Sequence, residues 1–140
     1  MQIGVDSSKA VDNKRVFVVD THDITRAILQ FMLHDENETH DLPSLEAALA
    51  KSAQWKPDLL LLGLGIIQEN GTAILADIKG RIEGVKILLV AENPDDPIVR
   101  GCLTAGADGL LLKPLTIEAT RKKVDALLGR RRGVIPIRAV

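Results

Sequence analysis

Asp20 closes the β-branched run Val16-Phe17-Val18-Val19, and Lys113 closes the leucine run Gly109-Leu110-Leu111-Leu112. In a parallel sheet, chemistry gathers where the central strands end, and a carboxylate and an ammonium stand at two such ends. The most central candidate strand is Pro57-Asp58-Leu59-Leu60-Leu61-Leu62-Gly63, and it ends at a residue with no side chain. The connection Thr21-His22-Asp23 is acidic rather than rich in glycine or hydroxyls, so it does not read as a phosphate-cradling loop. His22, His34 and His40 fall in turns and loops without the spacing of metal ligands. Cys102 recurs at helical spacing with Ile98 and Val99, which points to packing rather than reactivity. Asp95 and Asp96 suit a helix N-terminus.

The elements that must position these groups alternate regularly. Arg15–Val19 is a buried strand, and Ile24, Ala27, Ile28, Phe31 and Met32 mark a first helix at helical spacing. A second strand falls within Glu38–Leu42. Ser44 caps an alanine-rich helix from Leu45 to about Trp55, with Leu45, Ala48, Leu49 and Ser52 on one face, and Pro57 stops it. Four consecutive leucines between a proline and a glycine suit a strand covered on both faces. A loop over Leu64–Asn70 is expected next, then Gly71 and a short helix through Ile74, Leu75 and Ile78. Lys86–Ala91 gives a fourth strand, and Asn93-Pro94-Asp95-Asp96-Pro97 starts a helix that Gly106 closes. After the fifth strand, Thr116 caps a last helix carrying Ile117, Val124, Leu127 and Leu128, with Arg121, Lys122 and Lys123 outward. Strand and helix alternate five times, which implies right-handed crossovers and an α/β fold whose parallel sheet is covered on both faces. Residues 1–14 read as a leader, 15–129 as one domain, and 130–140 as a tail that is basic and then apolar.

Composition bounds the partners. The chain has 140 residues, 46% hydrophobic and 26% charged, which is the balance of a single domain with a full core. A net charge of −1 provides no field toward nucleic acid or anionic membrane. Phe17, Phe31 and Trp55 are the only aromatics, so the core must be aliphatic and no stacking platform for single strands exists. One cysteine, no apolar stretch approaching about 20 residues and no apolar signal core lead to the expectation of a cytoplasmic protein.

Taken in order, Val18-Val19-Asp20, Pro57-Asp58 before the leucine strand, Gly71, Ala105-Gly106-Ala107-Asp108-Gly109 and Lys113-Pro114 resemble the receiver domain of two-component response regulators. The match in order and spacing covers residues 15–128. It implies a CheY-like doubly wound sheet in the order 2-1-3-4-5, the flavodoxin-like arrangement. The chemistry it implies is phosphoryl transfer from a histidine kinase to an aspartate at the end of the third strand. That reaction needs a divalent cation and an ammonium to offset repulsion between phosphate and carboxylate.

Position by position, the resemblance puts Gly63 where that nucleophile stands. Asp20-Thr21 replaces an acidic pair, Val90 replaces a hydroxyl residue, Leu110 stands at an aromatic switch position, and Lys113 matches. A single charged ligand at Asp20, weakly helped by Asp23, is a poor Mg²⁺ site, so no metal and no cofactor are expected. Lys113, lacking its usual partner, is expected to pair with Asp20. Asp58, at the wrong end of its strand, and Glu69, in a loop, are weak surrogate acceptors.

The reading that follows is a non-enzymatic pseudo-receiver that signals through a protein partner, such as a sensor kinase, an effector or another regulator, around the fourth and fifth strands and helices. No nucleic acid or membrane partner is expected, and a homodimer is compatible. A phosphorelay receiver with another acceptor is the alternative, followed by a flavin- or anion-binding domain of the same architecture. The tail segment Val134-Ile135-Pro136-Ile137 is expected to dock on a partner's sheet edge or groove.

Overall fold

Four leucines in a row have no polar side to turn toward water, and β3 (Leu59–Gly63) accordingly lies in the middle of the sheet with every residue buried. A computed structural model describes residues 14–130. On one flank β3 pairs with β1 (Arg15–Val19), which pairs in turn with β2 (Glu38–Leu42). On the other it pairs with β4 (Lys86–Ala91), followed by β5 (Gly109–Leu112). All pairings are parallel, and the order is β2-β1-β3-β4-β5. The alternation of side chains along a strand divides the interior in two. Phe17, Val19, Leu60, Leu62, Ile87 and Leu89 point to one face. Val16, Val18, Leu59, Leu61, Leu88 and Val90 point to the other. Burying each of these large side chains contributes about 1.5–3 kcal/mol before the entropy cost of ordering the chain.

Six helices cover the two faces. α1 (Asp23–Leu33) and α6 (Ile117–Leu128) lie on the second face, and α2 (Leu45–Ser52), α3 (Leu64–Asn70), α4 (Ile74–Arg81) and α5 (Pro97–Ala105) complete the first. Three starts are capped as their sequences require: Ser44 Oγ, Asp96 Oδ1 and Thr116 Oγ1 accept from the amides of Ala47, Ile98 and Ala119. Gly106, at φ +124°, ends α5 in a conformation that side-chain-bearing residues rarely adopt.

The structure differs from the sequence reading in several places, the helix after β2 ending at Ser52 rather than near Trp55 among them. Residues 64–70 form helix α3 rather than a loop: Ile66 and Ile67 are buried against the first face, and the turn ends only at Gly71. The buried stripe of α1 is Thr25, Leu29 and Leu33, whereas Ile24 and Phe31 are 74% and 70% exposed, so the apolar spacing followed the outer face. Arg121 is not outward. Its Nε donates to Met32 O at 3.0 Å and ties α6 to the end of α1. Arg130, assigned to the tail, also belongs to the fold, donating to Asn37 Oδ1 at 2.8 Å and Glu36 O at 3.1 Å. The leader and the segment Val134-Ile135-Pro136-Ile137 lie outside the described residues.

Candidate functional site

The loops that follow β1, β3, β4 and β5 converge at the carboxyl ends of the strands on a cavity of about 550 Å³. Asp20, Thr21, Val90 and Lys113, all singled out in the sequence, line it together. Gly63 is not among the residues lining it; it pairs in register with Val90, which is. Leu110 is apart from the cavity, partly buried against the first core cluster. Asp58 is at the opposite end of β3, where its Oδ2 accepts from the Arg15 amide at 2.9 Å.

Asp20 is almost fully buried, and its position is fixed from both sides. Its Oδ1 accepts from the His22 amide at 2.8 Å, and its backbone carbonyl accepts from Arg26 Nη1 at 2.8 Å. The same guanidinium reaches Asp23 Oδ1 at 2.7 Å and approaches Asp41 Oδ2 at 3.6 Å, so one cation ties the end of β1 and the start of α1 to β2. Held in this way, the Asp20 carboxylate lies over Gly63. A Cβ at residue 63 would overlap the carboxyl carbon and oxygens of Asp20. The next turn repeats the arrangement, since a Cβ at Gly65 would come within 2.7 Å of Thr21 Oγ1. Two glycines at the start of α3 therefore make room for two side chains from the loop after β1.

Lys113 does not pair with Asp20: no ion pair within 4.0 Å joins them among the described residues. Its Nζ instead donates to Thr25 Oγ1 at 3.4 Å, on the first turn of α1. The Asp20 carboxylate is turned onto Gly63 at the end of β3, with its Oδ1 accepting from the His22 amide. The other charges lining the cavity are carboxylates, Glu69, Glu92 and Asp96. With Asp20 they outnumber Lys113, giving the cavity a negative balance that opposes an incoming phosphoryl anion. Asp96 is already engaged as the α5 cap. Glu69, expected on a loop, reaches the cavity from α3.

Arg26 and Glu92 were not singled out in the sequence. Arg26, three residues after Asp23 and so on the same helical side, and Glu92, directly after β4, were legible only as surface charges. No group of three or more His, Cys, Asp or Glu residues suited to a metal ion occurs among the described residues. No described helix is long and apolar enough to cross a membrane.

A parallel sheet in the order 2-1-3-4-5 with a cleft at its carboxyl edge defines the flavodoxin-like class of doubly wound α/β domains. Residues 16–125 match the response regulator receiver domain, and the chain belongs to that family. It is similar to the DNA-binding transcriptional activator DevR/DosR of Mycobacterium tuberculosis, 26% identical over 83% of this chain and 55% of the relative. It is also similar to the two-component response regulator PhoP of Pseudomonas aeruginosa, 28% identical over 86% of this chain and 54% of the relative. The chain thus spans about half the length of the curated relatives it matches. Among solved structures, a response regulator from Thermotoga maritima superposes with a TM-score of 0.75 at 19% identity, over 84% of this chain and 98% of the other. The chemotaxis protein CheY4 of Vibrio cholerae gives 0.73 at 19% identity, over 82% and 98%. These two likenesses establish the fold.

Proposed function

We propose that this receiver domain acts as a pseudo-receiver, signalling by protein–protein contact without phosphorylation at the end of β3 and without enzymatic activity. The observation that carries the reading is the Asp20 carboxylate packed over Gly63. The volume in which an acceptor side chain would stand is filled, and the filling carboxylate accepts from the His22 amide while Arg26 holds the Asp20 backbone carbonyl. Val90 offers no hydroxyl at the end of β4, and the acid-rich lining disfavours a phosphoryl anion. The partner is taken to be a protein, either a sensor kinase, an effector or another regulator. Exposed Leu103, Leu112 and Ile117, on α5, β5 and α6, supply apolar contact area around one edge of the sheet. The DNA binding named for the mycobacterial relative is a property of that protein, of which this chain matches about half.

The second reading, phosphorylation at another carboxylate, draws on Glu69 and Glu92 in the same cavity. Incubation of the full chain with a small phosphodonor and Mg²⁺, followed by intact mass, separates the two. We expect no added mass, whereas a gain of one phosphoryl group would establish the second reading.

A further inference from the structure

Four apolar side chains of α1 face water. Ile24, Ala27, Ile28 and Phe31 fall at i, i+3, i+4 and i+7, one stripe of a helix, and all are exposed, while Thr25, Leu29 and Leu33 fill the core on the opposite side. The uncovered parts of Ile24, Ile28 and Phe31 amount to on the order of 400 Å², a size at which an apolar patch on a monomer marks a contact site. Two such patches face to face would withdraw roughly 800 Å² in these side chains alone, half of the about 1,600 Å² of a standard stable interface, and the flanks of the helix add to it.

The flanks decide what fits. On one side of the stripe stand Asp23 and His34, separated by about three turns and so in one line, with the acid at the start of the helix and the imidazole just past its end. On the other side lies α6. Arg121 Nε bonds Met32 O, so that side of α6 turns to α1. Glu118 and Lys122 come next round the helix, in the sense away from buried Thr120 and Val124, which makes them the exposed rim bordering the stripe. Among the described residues neither of them holds an ion pair. Both helices start from the carboxyl edge of the sheet. Each flank therefore carries an acid nearer that edge and a basic group farther down.

A two-fold axis crossing α1 at right angles near Ala27 and Ile28 makes this face complementary to itself, since an isologous contact repeats every pairing in reverse. The two helices run antiparallel, Ile24 meets Phe31 of the second copy, and the small Ala27 lies at the axis. The same rotation brings Asp23 toward His34 of the second copy and Glu118 toward Lys122 of the second copy. A parallel pairing would instead set like charges against each other at both ends. We propose that the outer face of α1, with its rim on α6, is the interface of an antiparallel homodimer of this chain. None of these residues lines the cavity at the strand ends, so the proposal stands apart from whether the domain takes up phosphate.

Sedimentation equilibrium of the full chain, over about a hundredfold range of concentration and with circular dichroism on each variant to confirm folding, is the test. The expected result is a reversible monomer–dimer equilibrium that Phe31→Ser, at an exposed site, weakens about tenfold or more. Glu118→Lys should weaken it severalfold by setting two ammonium groups against each other in both symmetric contacts. Adding Lys122→Glu to that variant should restore the association, because the reversed pair is again complementary across the axis. A chain that stays monomeric throughout would overturn the proposal, as would a dimer indifferent to Phe31→Ser. Assembly beyond two copies, or a double reversal no tighter than the single one, would overturn it too.

Discussion

At the residue scale, Gly63 and Asp20 form one packing unit rather than two independent positions. Supplying an acceptor by Gly63→Asp places a side chain into the Asp20 carboxylate and brings two like charges together. We expect Gly63→Asp to lower stability by about 1–3 kcal/mol, the usual cost of overpacking. Gly63→Ala should cost a similar amount for steric reasons alone. Combining Gly63→Ala with Asp20→Gly should recover most of the loss if the two positions are coupled. Urea unfolding of the single and double variants measures this coupling, and simple additivity would disprove it.

A second residue-scale expectation concerns Glu38. Its bonds to Arg15 and His40, at 2.6 and 2.8 Å, hold its pKa at about 2, below the ordinary 4.5. Because the folded value is the lower one, the group binds fewer protons folded than unfolded between these limits. Its contribution is therefore complete above about pH 4.5 and is lost as pH falls toward 2. Glu38→Gln should flatten the acid limb of the urea midpoint against pH in that window, and an unchanged slope would rule out the assignment. Asp108 behaves in the same direction for another reason. Burial would raise its pKa, but the Lys79 ammonium and the Ile87 amide outweigh it and hold it low.

At the element scale, the parts that were legible are those whose residues leave one solution. β3 was readable because four leucines with no polar partner fit only a strand covered on both faces; the alternation around it gave a parallel sheet, and the family resemblance supplied its order. α1 was readable as a helix but not in orientation, because Ile24, Ile28 and Phe31 form as good an apolar stripe as Leu29 and Leu33 do, and spacing cannot say which side faces the sheet. α3 was missed because two glycines at its start argue for a loop by propensity. Their reason for being there, room for Asp20 and Thr21, exists only in three dimensions. The position of Asp20 was misread on the same ground, since charge alone sends it to Lys113 while the His22 amide and the space above Gly63 take it to β3. The dependence of the sheet on its middle strand gives a measurable expectation. Leu61→Ala, at a site with 1% exposure between Val18 and Leu88, should cost about 2–5 kcal/mol in chemical denaturation.

At the scale of the whole molecule, the sheet brings together one ammonium and several carboxylates around a cavity at the carboxyl ends of its strands. Carboxylates around a cavity attract cations, but Asp20 is turned down onto β3 and Asp96 is committed to a helix cap. Mg²⁺ demands near-ideal octahedral geometry, and these carboxylates do not converge on one point. Calorimetric titration of the full chain with Mg²⁺ should show no site tighter than about 1 mM. A sub-millimolar site would require Asp20 to move and would reopen the phosphorelay reading.

The contact between residues 20 and 63 also couples what each position tolerates. A side chain at position 63 and a carboxylate lying over it compete for one space, so a change at either site alters which residues the other can accommodate.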